Sequence, residues 1–438
     1  ASLDGKLHAL KDEGNNAELL FTRKINEHGF TADLSGSEVG ILAVGRDLIL
    51  YSLSPKTGYV NWKHGVLNGA FVEGQFYAAG WSGGLLGSPT IVDDVLYIGG
   101  PDGFVNALNA ETGTEIWRFE TNSTTSLAPT VAEGKVFFGY LGSFTEHYGY
   151  AKPGEYFALD KNTGEPIWTS KEFGKVWVSA AYNKGNIFIG DVDGTFYGVN
   201  ASSGKKIWEY YTGKNTMKEN MPKETPYMPG YPPGVYCCPA IDENQVYTGS
   251  WAGYYFAFDQ NTGKLNWRTK TQGHDFGGLP DSAAPSFYKG NLYVQKKGGF
   301  IAALNRKTGE LEWEIIPKMG YLQNATIAAH NNKIFGSAAS RVTRLPFEAL
   351  MMAFSDVENG SGKIWEQRGP GGLTPPVLTD ENLISGSSTE TFVTCLEQET
   401  GKIKWRVFTG GEMLENGPAI YGNRFYALGK NGYLFAIK

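Results

Sequence analysis

One short phrase occurs eight times in this 438-residue chain and constrains its architecture more than any other feature. It consists of Thr-Gly or Ser-Gly, then three residues, then Trp, and the copy that ends at Trp365 is one residue shorter. Eight of the eleven tryptophans are used in this way: Trp62, Trp117, Trp168, Trp208, Trp267, Trp313, Trp365 and Trp405. Because the shortest interval, from Trp168 to Trp208, is 40 residues, the chain is predicted to repeat a unit of about four short strands.

Residues 88–120 show how one unit is built. The pieces VLYIGG, GFVNALNAE and TEIWRFE are rich in β-branched and aromatic residues and are bounded by Gly, Asp or Asn, which is typical of strands joined by turns. The Gly of the phrase tolerates the positive φ of a tight turn, and the Trp offers a wide apolar ring for packing between sheets. One four-stranded sheet cannot bury both faces alone, so the units are predicted to pack face to face in a ring, as the blades of a β-propeller. A β-sandwich and a right-handed β-helix are the alternatives.

The blade count follows from the inner strands, which begin with a small residue that is often followed by Pro. Eight such starts occur, at Ser88-Pro89, Ala128-Pro129, Ser179-Ala180, Cys238-Pro239, Ala284-Pro285, Ala325-Thr326, Pro375-Pro376 and Gly417-Pro418. The last unit lacks its Trp strand, so an N-terminal segment is predicted to complete it and to close the ring. Residues 18–25 and residues 57–64 both fit this outer strand, and a ninth blade is required if both are ordinary outer strands. We predict an all-β, eight-bladed β-propeller of four-stranded antiparallel blades, with residues 1–438 as a single domain.

Composition agrees with a large all-β body outside the cytoplasm. Aromatic residues make up 14%, charged residues only 19%, and 58 residues are Gly. The net charge of −6 without a basic stripe argues against a nucleic-acid partner. No run of 18 apolar residues occurs, so the chain is not predicted to span a membrane. A start at Ala1 fits removal of a signal peptide, although trimming gives the same start, and we expect a secreted or periplasmic protein.

Two of the three cysteines, Cys237 and Cys238, are adjacent. Adjacent cysteines can close a strained disulfide ring that encloses no loop, so the bond adds little of the usual entropic stabilisation. Cys238-Pro239 matches the inner-strand starts of other units, which predicts that the pair lies beside the central funnel as a stiff apolar plate or a redox couple. Simple packing of two small buried side chains is the alternative, and Cys395 is predicted to be core.

At this point the sequence resembles a known family. The phrases ALNAETGTEIW, ALDKNTGEPIW, AFDQNTGKLNW and ALNRKTGELEW are similar to the tryptophan-docking repeat of the pyrroloquinoline quinone (PQQ) propeller superfamily, over essentially the whole chain. This superfamily contains quinoprotein alcohol dehydrogenases and cofactor-free relatives such as the outer-membrane assembly lipoprotein BamB. In the dehydrogenases a vicinal disulfide covers one face of the quinone, a Trp covers the other, and a calcium or lanthanide ion holds the reactive carbonyl. The resemblance therefore implies PQQ and such an ion as cofactors, with Cys237 and Cys238 as the quinone-stacking pair.

The chain departs from those dehydrogenases at several points. Where they carry a metal-binding Glu, the stretch LYVQKKGGF has Gln295, Lys296 and Lys297. The chain is also shorter than the dehydrogenases and lacks their Cys-x-x-Cys-His heme motif. These departures count against the metal and the standard mechanism.

Other candidate site residues come from their positions near predicted inner strands. Trp81 and Trp177 stand outside the repeat phrase and are candidates for stacking on a flat ligand, with plugging of the central channel as the alternative. Asp281, Asn324 and Glu415 offer the carboxylate and amide oxygens that a hard cation prefers. Asp281 is also the candidate base that takes the hydroxyl proton as hydride leaves an alcohol. The alternative for Asp281, Asn324 and Glu415 is that each is a solvated rim residue or a turn cap.

Three further segments have local interpretations. Trp251 is predicted to serve packing, and residues 191–194 form a hairpin turn rather than a calcium loop because the later Glu is missing. The interval from Trp208 to Trp267 is 59 residues and includes a Met-, Pro- and Tyr-rich insertion immediately before the cysteine pair. We expect this insertion to roof a small-molecule pocket, or else to bind a protein.

Two functions from different classes fit these features. The leading hypothesis is a quinone-dependent oxidoreductase that acts on an alcohol or a sugar, with the cysteine pair as one wall of the cofactor site. The alternative is a cofactor-free, BamB-like binding or scaffold propeller with a protein partner. The cysteine pair favours the enzyme, and the missing metal-ligand Glu favours the binding protein.

Overall fold

The structure is a computed structural model in which the chain forms two compact units. One contains Ala1–Glu120, Ala325–Val357 and Gly362–Lys438, and the other contains Thr121–Asn324 with Glu358–Ser361. The described residues are 6–12, 17–25, 35–37, 40–45, 49–65, 89–100, 103–121, 125, 128–140, 154–176, 178–212, 234–251, 253–270, 284–296, 300–315, 322–324, 327–340, 349–355, 362–369, 376–386, 392–408, 419–421, 424–428 and 434–437. Side chains are described within these ranges except at 6–24, 35–37, 296, 300, 322–324, 338–340, 349, 408 and 419–437. A single domain over residues 1–438 stays a prediction.

The first unit begins with two strands that pair with each other and continues with two four-stranded antiparallel sheets. The first two strands are β1 (Lys6–Asp12) and β2 (Ala17–Lys24). The next sheet contains β3 (Ser35–Ser37), β4 (Gly40–Val44), β5 (Ile49–Leu53) and β6 (Val60–Gly65). The sheet after it contains β7 (Thr90–Val92), β8 (Val95–Gly99), β9 (Phe104–Asn109) and β10 (Glu115–Glu120).

The second unit consists of four consecutive antiparallel sheets. The first contains β11 (Thr130–Ala132), β12 (Lys135–Gly139), β13 (Tyr156–Asp160) and β14 (Pro166–Ser170). The second contains β15 (Ala181–Asn183), β16 (Asn186–Gly190), β17 (Thr195–Asn200) and β18 (Lys206–Tyr211). The third contains β19 (Ala240–Ile241), β20 (Gln245–Ser250), β21 (Tyr254–Asp259) and β22 (Leu265–Lys270). The fourth contains β23 (Ser286–Tyr288), β24 (Asn291–Lys296), β25 (Phe300–Asn305) and β26 (Leu311–Ile315), and the short β27 (Leu322–Asn324) follows.

The rest of the first unit repeats this pattern. One sheet contains β28 (Ala328–His330), β29 (Lys333–Ser340), β30 (Ala349–Ser355) and β31 (Gly362–Arg368). The next contains β32 (Val377–Leu378), β33 (Asn382–Gly386), β34 (Phe392–Glu397) and β35 (Ile403–Phe408). The last strands are β36 (Ala419–Tyr421), β37 (Arg424–Leu428) and β38 (Leu434–Ile437).

The two ends of the chain form one sheet, in the order β2-β1-β38-β37-β36. The predicted joining of the first and last strands is therefore confirmed. Residues 18–25 fall largely in β2 of this sheet. Residues 57–64 comprise the turn before β6 and most of β6 itself, so each of the two candidate segments forms an outer strand, in different sheets. In the described part of the chain, eight sheets end in a docking Trp strand, and the two ends of the chain make one further sheet.

The expected antiparallel pairing is wrong at one ladder of this closing sheet. Strand β1 pairs with β38 in parallel, with Leu7 opposite Leu434. The two strands come from opposite ends of the chain and are not joined by a hairpin, so no tight turn forces them to run in opposite directions.

Burial follows the position of a strand within its sheet. In β16 and β17 the central residues are buried on both faces, as sheets packed between two neighbours require. In the fourth strand, β18, Trp208 is buried while the preceding Ile207 is 43% exposed. The fourth strand therefore forms the exposed edge, and its Trp is the residue that joins the sheet to its neighbour.

In the described contacts, five of the repeat tryptophans bind the Gly-containing turn of the next sheet: Trp62, Trp168, Trp208, Trp267 and Trp365. The Trp208 Nε1 donates a hydrogen bond to the Gln260 carbonyl at 2.9 Å, and a Cβ on Gly263 would lie 2.5 Å from Cδ2 of this ring. The Gly is therefore needed both for its positive φ and for the close approach of the indole. The same hydrogen bond joins Trp62 to Ala110, Trp168 to Ala201, Trp267 to Arg306 and Trp365 to Gln398, at 2.9–3.1 Å.

Candidate functional site

The structure describes only part of the predicted site. Cys237 and Cys238 are described, as is Trp251. Trp81, Trp177, Asp281 and Glu415 lie outside the described residues, and Asn324 contributes only its backbone at the end of β27. The roles assigned to these five residues stay predictions.

Residues 234–238, which we call the cysteine segment, lead through Pro239 into β19. This is the first strand of its sheet, so the predicted position of the pair at a first-strand start is confirmed. A Cβ on Gly234 would meet both the Val192 carbonyl and the Tyr236 ring, which shows how closely this backbone is packed. The cysteines are thus carried by a segment fitted against the preceding sheet.

Cys237 and Cys238 have different surroundings. Cys237 is buried, its Sγ donates to the Cys238 carbonyl at 3.7 Å, and its own carbonyl accepts a bond from Thr248 Oγ1 at 3.3 Å. Cys238 is half-buried. Burial raises the pKa of the Cys238 thiol, while a hydrogen bond from the Ser179 backbone acts in the opposite direction. The vicinal disulfide stays a prediction, and Cys395 is buried in β34, as expected of a core residue.

Ser179 links the cysteine segment to the two preceding sheets. Besides its backbone contact with Cys238, its Oγ donates to the Ala128 carbonyl at 2.9 Å. Thr130 Oγ1 in turn donates to the Ala180 carbonyl at 2.8 Å. The predicted strand starts at Ala128, Ser179 and Cys238 therefore follow one another in space as they do in sequence.

An aromatic pair lies directly beside the cysteines. The rings of Tyr236 and Trp251 have their centroids 4.1 Å apart at an angle of 40°, and both residues are half-buried. The Trp251 amide donates to the Gly234 carbonyl at 3.0 Å, which ties the ring to the cysteine segment. The sequence interpretation of Trp251 as a packing residue missed this pair, because the two strands β19 and β20 lie between Tyr236 and Trp251 in the sequence.

Residues 191–194, which we call the anchor turn, connect β16 to β17 and confirm the predicted hairpin turn. The Asp191 carbonyl accepts the Val235 amide at 2.8 Å, at the end of the insertion, which is residues 214–236. The Gly194 carbonyl accepts both the amide and the Oγ1 of Thr212, at 2.8 and 2.7 Å, just before that insertion. One turn therefore holds both flanks of the insertion that leads into the cysteine pair.

Asp191 organises this turn from the inside. The residue is 2% exposed, its Oδ1 accepts the Thr195 amide at 2.7 Å, and its Oδ2 accepts the Tyr197 hydroxyl at 2.7 Å. Burial raises the pKa of the carboxyl to about 6, although both hydrogen bonds favour the ionised form. The carboxyl thus changes charge near neutral pH while it is enclosed by protein.

The described residues supply no complete cation site. Among them, no group of three or more His, Cys, Asp or Glu side chains could hold a metal ion. Gln295 belongs to the stretch in which the resemblance implies a metal-binding Glu; it is buried in β24, and its carbonyl accepts the Tyr255 hydroxyl at 2.6 Å. Across the same described ranges, no helix is long and apolar enough to cross a membrane.

Comparison with known proteins settles the family. The sequence matches the family described as outer membrane protein assembly factor BamB (PQQ_2) over residues 45–152 and 152–407. The chain belongs to this PQQ-repeat family. The predicted resemblance to PQQ-repeat propellers is thereby confirmed.

Two curated relatives come from different functional classes. Tetrathionate hydrolase from Acidithiobacillus ferrooxidans is 25% identical over 279 residues, covering 57% of this chain and 51% of that protein. The dehydrogenase subunit of alcohol dehydrogenase (quinone) from Gluconobacter oxydans is 24% identical over 246 residues, covering 52% of this chain and 27% of that protein. The chain spans about half or less of the length of these relatives.

A solved structure supports the fold over nearly the whole chain. BamB from Moraxella catarrhalis matches with a TM-score of 0.55 and 18% identity, covering 92% of this chain and 94% of that one. Together with the sheet order, this likeness confirms the predicted all-β propeller, with eight blades that each end in a Trp strand.

Proposed function

We propose that this chain is a quinone-dependent oxidoreductase that oxidises an alcohol or a sugar, with PQQ held against Cys237 and Cys238. The observation that carries the proposal is the adjacent cysteine pair at the start of β19, beside the half-buried Tyr236 and Trp251 rings. The match with the quinone alcohol dehydrogenase of Gluconobacter oxydans supports the same chemistry. We also propose an extracytoplasmic location, which agrees with the family description as an outer membrane protein assembly factor.

The described residues fit a flat conjugated cofactor. Sulfur is polarizable and packs well against ring systems, and Cys238 is half-buried rather than enclosed. PQQ, when bound, supplies the carbonyl that accepts the hydride. In the proposal Trp81 or Trp177 covers its second face, and Asp281, Asn324 and Glu415 hold a calcium or lanthanide ion. Asp281 takes the proton of the substrate hydroxyl.

The proposal is tested by adding PQQ and calcium to the purified full chain. We expect a quinone absorption band and a higher melting temperature, because a ligand that binds only the folded state stabilises it. At 100 times the dissociation constant the gain is about 2.7 kcal/mol, which corresponds to about 3 °C for a chain of this size. Cys238→Ala should reduce the shift, whereas Cys395→Ala, in a buried strand of another sheet, should keep it. Absence of both band and shift in the native protein would reject the proposal.

A second candidate is hydrolysis of a polythionate, and it is favoured by the relative with that activity, tetrathionate hydrolase, which matches 57% of this chain. In this candidate a cysteine thiolate attacks an inner sulfur of tetrathionate, and the central sulfur–sulfur bond breaks with thiosulfate as the leaving group. Water then converts the cysteine-bound –S–SO₃⁻ group to sulfate and a persulfide, and release of the outer sulfur as zero-valent sulfur restores the thiolate. The test is release of thiosulfate from tetrathionate by the native protein and by the same two variants. If the protein responds to neither PQQ nor tetrathionate, the remaining function is the protein-binding role implied by the BamB-like resemblance.

A further inference from the structure

We propose that Asp191 positions the Cys237–Cys238 pair by fixing the anchor turn, on which both flanks of the preceding insertion are bound. The inference rests on the proposed function only in taking the cysteine pair as part of the site. Asp191 itself touches neither cysteine in the described contacts, so it is a positioning residue and not a catalytic one.

The path from Asp191 to the cysteines is short and consists of direct contacts. The Asp191 carboxyl fixes the turn through the Thr195 amide and the Tyr197 hydroxyl, while its carbonyl holds the Val235 amide. Only Tyr236 separates Val235 from Cys237. A displacement of the turn therefore reaches the cysteines through two residues of tightly packed backbone.

Close packing makes this path stiff. A Cβ added to Gly190 would run into the Val235 side chain, and a Cβ on Gly174 would lie 2.6 Å from the Asp191 Oδ2. The Val192 amide donates to the Lys175 carbonyl at 2.9 Å, so the turn is held from a third side. Because Asp191 and Val192 are buried in these contacts, the hydrogen bonds of the turn determine where Val235 and the cysteines lie.

The second flank of the insertion depends on the same turn. Thr212 Oγ1 is shared between the Gly194 carbonyl and Ser250 Oγ, at 2.7 and 2.8 Å, and Ser250 ends β20 of the cysteines' own sheet. The turn therefore fixes the entry and the exit of the insertion together. Nothing in the inference depends on the conformation of residues 213–233, which lie outside the described residues.

The charge of Asp191 makes this positioning sensitive to pH. The groups that face it are Asp193 on its own turn, Tyr197 on β17 and, acting on Tyr197, Glu209 on β18. In the segment of residues 174–175, Lys175 contributes its carbonyl and is the one residue with a charged side chain, and residues 234 and 235 contribute no titratable side chain. Burial raises the pKa of Asp191 to about 6, so the hydrogen bond with Tyr197 changes between pH 5 and 7.5. The ionised carboxyl only accepts hydrogen bonds, whereas the protonated carboxyl also carries an O–H donor.

The test measures hydrogen exchange at single amides in the full chain, without quinone. The amides of Val235 and Thr212 report the anchor turn, and the Ala201 amide, bound to the Gly185 carbonyl in the same sheet, is the internal control. We expect Asp191→Ala to speed exchange at Val235 and Thr212 by about tenfold, since bonds to a charged group are lost, with little change at Ala201. Alkylation of Cys238 by iodoacetamide should rise about threefold or more in parallel.

Matched variants separate this role from general loosening. Asp259→Ala removes another turn-capping aspartate from the cysteines' own sheet and should leave the Val235 amide and Cys238 unchanged. Asp191→Asn should keep protection and abolish its change between pH 5 and 7.5. If Asp191→Ala does not fold, Tyr197→Phe carries the test, because it deletes only the hydroxyl bond and should give a smaller change of the same kind.

A folded Asp191→Ala protein with unchanged exchange at Val235 and unchanged Cys238 alkylation would overturn the inference. So would an effect of equal size from Asp259→Ala. Both readouts are independent of PQQ, so failure of quinone binding leaves them intact. Conversely, if the protein binds quinone but Asp191→Ala changes neither exchange at Val235 nor alkylation of Cys238, only this inference is rejected.

Discussion

The Gly of the repeated phrase should be intolerant of a methyl group because of the docked Trp, beyond its need for positive φ. Gly263 has φ of +68° and faces the Trp208 ring, and an added Cβ would lie 2.5 Å from Cδ2. The ring cannot withdraw, because it packs against Phe196 and Phe258 with ring centroids 5.8 and 5.7 Å away. The left-handed backbone costs Ala about 1–2 kcal/mol, and overpacking adds about 1–3 kcal/mol. Gly263→Ala should therefore destabilise the protein by about 2–5 kcal/mol.

Gly134 provides the matched control for this substitution. It has φ of +73°, and nothing lies within 4 Å of a Cβ built on it. Gly134→Ala should therefore show only the backbone cost of about 1–2 kcal/mol. For a chain of this length about 1 kcal/mol shifts the melting temperature by about 1 °C, so calorimetry should find Gly263→Ala lower than Gly134→Ala by about 1–3 °C.

A double-mutant cycle assigns the difference to the indole. In a Trp208→Ala background the space is open, so adding Gly263→Ala should cost only the backbone part, leaving a coupling of about 1–3 kcal/mol. Equal melting temperatures for Gly263→Ala and Gly134→Ala, or additive effects in the cycle, would refute the reasoning that Trp docking selects this Gly.

Two further stability measurements test the electrostatics and the turns. The folded pKa of Asp191, raised by burial to about 6 from 3.8, means that its contribution to stability is fully present below pH 3.8 and is lost as the pH rises through 6, by up to about 3 kcal/mol. Asp191→Asn should therefore raise the melting temperature by about 2–3 °C at pH 7.5 and by less at pH 5, and a gain independent of pH would contradict this. Asp94 has φ of +60° in the turn between β7 and β8, so Asp94→Gly should stabilise the protein by about 1 kcal/mol. The gain should be measured as a higher denaturant midpoint. An unchanged or lower midpoint would show that the turn is not strained.

The repeated fold could be predicted from the sequence because its determinants are local. A Gly that admits an indole and a Trp that fills the space recur at a fixed spacing, and Trp208 and Gly263 meet as that spacing implies. The choice between residues 18–25 and 57–64 could not be made in this way, since both read as strands. The choice depends on which distant strands each segment joins in a sheet. Residues 18–25 lie largely in β2, which pairs with β1, and β1 pairs with β38 from the other end of the chain.

The site was predictable only to the level of the cysteine pair. Its place at a strand start follows from the repeat register, which aligns Cys238-Pro239 with Ala128-Pro129. The residues that contact the cysteine pair do not follow from the repeat register, because they come from turns and strand ends of other sheets. The clearest case is Asp191, whose sequence signal is an ordinary hairpin turn. Its contact with Val235 spans a separation of 44 residues, which the insertion makes longer than in other units.

The contacts around residues 234–238 argue that the cysteines are oriented before any ligand arrives. The anchor turn holds Val235, Trp251 holds Gly234 and Tyr236, Thr248 holds Cys237, and Ser179 meets Cys238. A segment fixed at every residue loses little conformational entropy on binding, so more of the contact energy is kept as affinity. The same arrangement distinguishes two kinds of substitution. Loss of Thr248 Oγ1 removes one of several supports and should be tolerated, whereas loss of the Asp191 carboxyl frees the turn that holds both flanks of the insertion.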